Sequence, residues 1–530
     1  MRALIAAAFL FPMVAHAQAS PYLPVDDIAY RYVDALIARG YLRSLSTLER
    51  PYTVGAIRAA LDSPAVDSTN NIMSGYARTL LGALHRYELR RSSDTVTKTQ
   101  DCYAIGCFGG QSEYDSYAAR RPFRAKATFD IYATAQTSNR RELMLADAEQ
   151  NVRPAMAGYF VFAGGHLAGS VRALLDNRLN VDPEFAGRKD RKLAGRTEDA
   201  YVSGQWKYAE ATFGRVARNW GPPALQGLLL GDAAYTYDHL FARIGTDRFH
   251  VETVIARLEN YVLSPGVESS RYFSIHRLSY RRGWFEGGLS EAYLYSGVHR
   301  GLEFSLINPF NVFSLSWRNE RTDGNLSFGF DVAARSRTAG TLSAQVLLDD
   351  VQIDKCDSVC AEPSSYAFSV TADGLPGWRG QRPFASYTRV SNLAYRTPNV
   401  AERYAIYGVG LGRGYSDYDE VRAGIDLALI PLTPLKLYVA HRRQGEGDYR
   451  ITYPHPSQYA TTPVFLQGVV WTVNRVGLSG ASIPIRDFQI VGDVGINQVR
   501  NRRNITGNDI TVFEGRAKIV WVPRWLIPFQ

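Results

Sequence analysis

Residues 125–135 read AKATFDIYATA, and the period of this stretch decides the fold. Ala125, Ala127, Phe129, Ile131 and Ala133 alternate with Lys126, Thr128, Asp130, Tyr132 and Thr134. A repeat of two sends successive side chains to opposite faces of a strand, so one face is apolar and the other polar. The pattern recurs along the chain. In LSFGFDV, Leu326, Phe328, Phe330 and Val332 alternate with Ser327, Gly329 and Asp331. Val421, Ala423, Ile425, Leu427 and Leu429 alternate with Arg422, Gly424, Asp426 and Ala428, and LKLYVAHR and QIVGDVGIN repeat the theme. A last clear strand sets Phe513, Gly515, Ala517, Ile519 and Trp521 against Glu514, Arg516 and Lys518.

Two architectures alternate in this way. A two-sheet sandwich does, but about 400 residues without a domain break is large for one. A closed transmembrane barrel, apolar outside and polar inside, needs spans of roughly ten residues joined by turns and loops. At about 22 residues per strand with its connection, the length gives roughly 16 to 20 antiparallel strands, and an even count is expected. The composition suits the barrel: 32 Tyr, 24 Phe, 8 Trp and 45 Gly point to strands and turns. No run of roughly 18 apolar residues marks a membrane helix. Three polar stretches read as external loops: DPEFAGRKDRKLAGRTED near residue 190, the Cys356–Pro363 region, and RRQGEGDYRITYPHPSQYATTP near 450. IPLTPLK and SIPIRD read as short periplasmic turns. A terminal Phe marks many outer-membrane strands; here Phe529 is followed by Gln530, which leaves the last strand open.

Ahead of the alternating region the period is helical. PVDDIAYRYVDALIARGYL places Ile28, Tyr32, Ala35, Leu36 and Ile37 on one stripe, with Asp26 or Asp27 as N-cap and Gly40 as the stop. RPYTVGAIRAALDSP repeats the design, with Thr53 as cap, Ile57, Ala60 and Leu61 as the apolar face, and Pro64 at the end. NNIMSGYARTLLGALHRYELRR aligns Ile72, Tyr76, Leu80, Leu81 and Leu84. Three such helices are too small to stand alone and need a surface to pack on. The opening MRALIAAAFLFPMVAHAQ has a positive start, an apolar core and a small-x-small site ending at Ala17. It reads as a secretory leader cleaved after Ala17. The expected organisation is therefore a leader at 1–17, a helical bundle or plug at 18–95, and an outer-membrane barrel at 96–530.

The four Cys form two local pairs, Cys102 with Cys107 and Cys356 with Cys360. Neither has C-x-x-C spacing, so a shared metal site is a poor reading; in an oxidising compartment two short-loop disulfides are the better one. The net charge of +9 fits loops among anionic lipid head groups, and equally an acidic partner such as a uronic-acid polysaccharide. A nucleic-acid partner does not suit an exported chain.

Four segments carry a family resemblance: PVDDIAYRYVDALIARGYL…ERPYTVGAIRAAL, FGRVARNWGPPALQGLLLGDAAY, RRQGEGD at 442–448, and FLQGVVWTVNRVGLSG. In this order and spacing they resemble the Wzi family of outer-membrane capsule-assembly proteins. The resemblance implies an eighteen-stranded outer-membrane barrel with a small helical bundle on its periplasmic side. It also implies a lectin-like activity that holds capsular or extracellular polysaccharide at the cell surface, beside lipopolysaccharide and the export machinery. The alternative is a porin or glycan-selective channel.

Enzymatic motifs are missing from the sequence. The His residues outside the leader are His85, His166, His239, His250, His276, His299, His441 and His455, and none stands in H-E-x-x-H; no G-x-S-x-G elbow occurs. Asp232 and His239 share a neighbourhood without forming a motif. The reading is therefore a binding protein with no catalytic residue, metal or cofactor. Sugar binding asks for aromatic faces and for Arg, Asn and Gln donors, with Arg gripping a carboxylate through two bonds. Arg218, Asn219 and Trp220 in RNWGPP form one such set; Arg442, Arg443, Gln444 and Tyr449 in HRRQGEGDYR form another. Trp220 suits plug packing at a strand end as well. Arg442 and Arg443 suit lumen filling or lipopolysaccharide contact equally. Pro222 and Pro223 lack amide donors and so end the preceding strand.

Overall fold

The computed structural model describes residues 19–62, 71–89, 100–103, 106–109, 123–145, 147, 149–223, 225–320, 323–350, 362–378, 380–427, 432–485, 487–523 and 527–529. Three helices come first: α1 (Ala29–Ala38), α2 (Val54–Leu61) and α3 (Asn71–Leu84). A two-stranded hairpin, Gln100–Tyr103 with Gly106–Gly109, follows and stays outside the main sheet. The first barrel strands are β1 (Arg124–Gln136), β2 (Asn151–Gly164), β3 (Leu167–Asp176), β4 (Gly195–Gln205), β5 (Ala209–Arg215) and β6 (Asp238–Gly245). Next are β7 (Phe249–Arg257), β8 (Val267–Arg282), β9 (Phe285–Gly297), β10 (Asn325–Ser336), β11 (Gly340–Asp350) and β12 (Ser365–Asp373). The set ends with β13 (Arg382–Val390), β14 (Tyr418–Leu427), β15 (Leu435–Gln444), β16 (Trp471–Ile485), β17 (Phe488–Arg500) and β18 (Ile510–Trp521).

Each strand pairs antiparallel with the next, and β18 closes on β1 from Arg516 opposite Gln136 to Trp521 opposite Ile131. Two short strands, Tyr261–Ser264 and Ile527–Phe529, hang on β8 and β1, so the closed ring has 18 members. Phe529 faces Ala125 across that last short pairing, which settles where the chain's final strands lie.

Burial is inverted relative to a water-soluble protein. On β1, Ile131 is exposed while Lys126, Thr128, Asp130, Tyr132 and Thr134 are buried. Phe330, Val332, Val421, Ile425, Phe513 and Ile519 are exposed; Ser327, Asp331, Asp426 and Glu514 are buried. Outward apolar and inward polar faces are what a bilayer requires of a barrel wall. No described helix is long and apolar enough to cross a membrane.

Tight turns gather at one end, such as 165–166, 283–284 and 337–339, and the longer connections at the other. In barrels of this kind the turn end is periplasmic. The helices fill the lumen at that end. Their apolar faces, including Ile28, Tyr32, Leu36, Ile57, Leu61, Tyr76 and Leu80, pack on Tyr132, Ala157, Tyr159, Val161, Ala481, Ile483 and Val520 of the wall. Polar bonds fix the docking. Arg39 pairs with Asp426 at 2.8 Å, Thr341 Oγ1 donates to Ile37 O at 3.2 Å, and Tyr32 Oη donates to Leu432 O at 3.0 Å.

The helix caps follow the sequence with one shift. Thr53 Oγ1 accepts from Ala56 N at 3.1 Å. The residue capping α1 is Ile28; Asp27 accepts from Ala29 N at 2.8 Å, while Asp26 leaves the helix to pair with Arg172 at 2.7 Å. The pull of a buried arginine on the wall outranks the local cap. Pro64 and the leader lie outside the described residues, as does most of the Cys356–Pro363 loop. The loop near 190 is shorter than its polar composition suggests, because β4 already begins at Gly195. The barrel proper opens at Arg124, after the separate hairpin.

Gly40 ends α1 at φ 75°, and a Cβ there would meet Arg337 N at 2.8 Å. Gly40→Ala should therefore lower stability by at least about 1 kcal/mol, read as an earlier urea midpoint, with α1 pushed off the β10–β11 turn. An unchanged midpoint would show that the plug is not seated on that turn.

Candidate functional site

After β5 the chain turns into the lumen. Asn219 exchanges backbone bonds with Arg50, at 3.0 and 3.1 Å, so this loop meets the helical plug through its main chain. The Asn219 side chain donates to Leu225 O at 2.8 Å and accepts from Gly227 N at 2.6 Å, which closes residues 219–227 into a compact turn. Trp220 is 4% exposed; its amide donates to Leu230 O, and its carbonyl accepts from Gln345 Nε2 at 2.8 Å. Arg218 is buried beside it. Its Nε donates to His239 Nε2 at 3.0 Å and its guanidinium lies 3.5 Å from the Phe241 ring centre. Burial pushes this guanidinium down to about 10.

A second loop, 391–417, folds inward to meet the first. Tyr395 Oη donates to Leu228 O at 2.7 Å, Tyr404 Oη to Leu229 O at 2.8 Å, and Gly231 N to Leu411 O at 2.8 Å. The approach needs glycine: a Cβ on Gly412 would sit 2.0 Å from Leu228 O. The loop after β15 is tied on in turn. Tyr449 Oη donates to Gly414 O at 2.7 Å, and Gln444 Nε2 donates to Ser416 O at 2.8 Å. Asp417 accepts from the amides of Gly447, Leu466 and Gln467 at 2.9, 2.6 and 2.9 Å. The lumen is thus blocked from the loop end by packed backbone and from the turn end by helices.

Between the two plugs lie polar cavities. One of about 250 Å³ is lined by Arg31, Arg86, Arg141, Arg172, Arg178, Arg516 and Lys518 against Asp26, Asp27, Asp130 and Asp493. A neighbour of about 180 Å³ shares Arg141, Arg172, Arg178, Arg516 and Lys518 and adds Tyr235. A third, about 220 Å³, lies against the inward loops with Arg141, Glu142, Arg413, Tyr415, Arg422 and Arg442. Several cations there rest on aromatic rings: Arg141 on Tyr235 at 3.7 Å, Lys518 on Tyr132 at 4.2 Å, Arg442 on Tyr418 at 4.0 Å. Among the described residues no carboxylate lies within ion-pair distance of Arg516 or Lys518, and Arg516 Nε has no hydrogen-bond partner. In the first cavity seven cations face four acids, in the second five face four, and in the third four face four, with aromatic faces beside them. This donor set suits an anionic, hydroxyl-rich ligand.

The expected site residues divide. Arg218, Asn219 and Trp220 lie inside the loop plug. Arg442 faces the third cavity, pairs with Glu420 at 3.4 Å and with Glu142 at 3.6 Å, and donates to Gln444 Oε1 at 2.8 Å. Its neighbour Arg443 points to the opposite face of β15, is 43% exposed, and pairs with Asp419. Strand alternation separates two residues that adjacency had grouped. Tyr449 is buried and joins the second set to the first through the 391–417 loop. Arg141, Tyr235, Arg516 and Lys518 were not singled out as site residues. The signal for two of them was present, because Arg516 and Lys518 sit on the polar side of the last alternating strand.

His239 is engaged at both ring nitrogens, by Arg218 and by Tyr237 O at 3.0 Å, so it makes no dyad with Asp232. Glu49, His250 and Glu252 place ligand atoms within 4.8 Å of one another, but Arg277 pairs with Glu49 and Arg243 lies 3.9 Å from Glu252. The trio works as an ion cluster between plug and wall. Cys102 and Cys107 stand opposite each other in their hairpin register; Cys356 and Cys360 lie outside the described residues.

No family profile and no curated protein matches the sequence. The fold is matched. The solved structure of Wzi, an outer-membrane protein involved in group 1 capsule assembly in Escherichia coli and described as a carbohydrate-binding β-barrel, superposes with a TM-score of 0.61 at 12% identity, covering 96% of this chain and 100% of that one. The chain has the Wzi fold. Pseudomonas aeruginosa OprD aligns more loosely, with a TM-score of 0.43 at 9% identity over 82% of this chain and 99% of its own.

The two plugs titrate in opposite senses. In the helical plug, burial raises the carboxyls of Asp26 and Glu49, but Arg172 and Arg277 beside them outweigh it and both titrate below their ordinary values of 3.8 and 4.5. Their stabilisation is present above those values and lost as pH falls through the depressed ones. On the inward loops, burial raises Asp232 and Asp417. Their contribution is fullest in acid and is lost as pH rises through the folded values. Hydrogen exchange between neutral pH and about pH 3 should show α1–α3 loosening first while the inward loops keep their protection. Loops that open before the helices would contradict this order.

Proposed function

We propose that this protein is a lectin-like outer-membrane barrel that binds capsular or extracellular polysaccharide and helps assemble or retain it at the cell surface. The observation that carries the reading is the doubly blocked lumen with arginine-rich, aromatic-backed cavities between the plugs. A pore that passes solutes has no use for loops sewn together by main-chain bonds. A glycan holder needs that rigidity, since every preorganised donor lowers the ordering cost of binding. Similarity to a carbohydrate-binding barrel supports the same reading.

Arg442 is the expected residue best placed to grip a uronate, with Tyr415 and Tyr418 behind it. Arg443, on the outer face near the loop end, meets glycan or lipopolysaccharide at the surface. Arg218, Asn219, Trp220, Gln444 and Tyr449 hold the loops that shape the site. In this reading the export machinery is a further partner, and the two Cys pairs stiffen loops as disulfides.

The test is binding of the purified barrel to the organism's own exopolysaccharide. Arg442→Met should weaken it by about 10- to 100-fold, the worth of a charge-assisted hydrogen bond, and salt should weaken the unsubstituted protein's binding too. Equal binding by Arg442→Met would remove Arg442 from the site. No binding by the unsubstituted protein would overturn the lectin reading.

A further inference from the structure

The connection between β9 and β10, described over residues 298–320 and 323–324, packs against the outer face of the wall. On β8 the odd residues face the lumen, where Arg277 meets Glu49 of the plug and Phe273 meets Tyr404 of the inward loop. The even residues Tyr272, Ser274 and His276 therefore face outward, in line with the exposed Leu278. On β9 their register partners Tyr295, Tyr293 and Glu291 face outward with Leu289. Yet Tyr272, Ser274, Tyr293 and Tyr295 are buried. Leu306 and Phe313 of this connection cover them from outside the barrel.

Its seat is specific. Leu306 and Phe313 pack into the Tyr272, Tyr293 and Tyr295 cluster, and Ser274 Oγ donates to Leu306 O. His276 Nε2 lies 3.1 Å from Glu291 Oε2, forming a polar pair on the lipid-facing side of the wall. The loop encloses it: Phe313 N and Ser314 Oγ both donate to Glu291 at 2.8 Å, and the Phe313 ring centre lies 4.2 Å from that of His276. Glu291 is six residues above the turn-end residue Phe285, about 20 Å along the strand at ordinary rise. With the usual tilt of such strands this is roughly 15 Å above the turns, inside an apolar band about 25 Å tall.

The loop's other face is apolar and open. Phe304 is 88% exposed, and Phe310, Leu315 and Trp317 are exposed with it. Between residues 301 and 317 the only charge is Glu303, which pairs with Arg300 at 2.7 Å. The backbone is largely self-satisfied through two short helices, Phe304–Ile307 and Phe313–Asn319, and through Asn308, whose side chain accepts from Phe310 N. Satisfied amides, few charges and an aromatic rim are what hydrocarbon contact requires.

We infer that residues 301–317 fold back over the outer wall and rest in the outer leaflet, where Phe304, Phe310, Leu315 and Trp317 contact lipid acyl chains. The surface continues the apolar belt through Leu289 and Leu278, replacing a polar patch of wall with an apolar one. It acts as a lateral foot that holds the barrel's depth and tilt. It is independent of any glycan.

The test places a bimane label at Leu315→Cys in the full barrel, reconstituted into phosphatidylcholine brominated along its acyl chains. Leu289→Cys serves as the belt control, Tyr407→Cys as the aqueous control, and the unsubstituted protein sets the labelling background. The foot predicts loss of emission from residue 315 to the same extent as from residue 289, with no response to iodide. Quenching by iodide alone would place the loop in water and overturn the inference. Shielding from both quenchers, with disulfide-linked dimers through residue 315, would make the face a protein interface and overturn it equally. If Leu315→Cys fails to fold, Phe304→Cys reports the same surface.

Discussion

The structure depends on the pairing of lumen arginines with carboxylates across the gap between plug and wall. A barrel that shows lipid an apolar face has only its inner face left for polar side chains, and those must meet water or a partner. Arg277 is the clearest case: fully buried on β8, it pairs with Asp331 of the next-but-one strand at 2.5 Å and with Glu49 of the plug. Arg86 joins Asp27 to Asp130, and Arg172 joins Asp26 to Asp199. Removing one partner from such a pair leaves a buried charge, which typically costs about 3–5 kcal/mol. The helices therefore complete the wall's electrostatics as well as filling its bore.

Neutral groups do the same work at the loop end. Tyrosine hydroxyls reach main-chain carbonyls of a neighbouring loop three times, at Leu228, Leu229 and Gly414. Each fixes backbone by backbone and leaves loop side chains little freedom. The cavities between the plugs are lined by arginines and carboxylates with aromatic rings behind them, a set of groups that suits holding a polar ligand. RNWGPP belongs to this closure: its asparagine and tryptophan build the turn and its arginine bonds to His239, while its prolines do not end the strand, because β5 already stops at Arg215, seven residues before Pro222.

Much of the fold is legible in the sequence because strand alternation is a local rule. Phe330 and Asp331 declare opposite faces without knowledge of their neighbours, and the shift from a period of 3.6 to 2 marks the passage from helices to barrel. The site is less legible because loops obey no period. Nothing local says that Trp220 folds inward while Trp317 folds outward; each follows contacts hundreds of residues away or across the wall. Arg442 and Arg443 show the limit of reading by adjacency, since two arginines side by side on a strand cannot share a ligand on one face. Asp26 shows it for caps, where a buried Arg172 on β3 took the side chain that the helix end would have used.

The central claim is that the lumen is blocked from both ends, and single-channel recording of the unsubstituted protein in a planar bilayer at neutral pH tests it most directly. The account predicts insertion without steady conductance. A stable open current would contradict it and point to a pore running past the plugs.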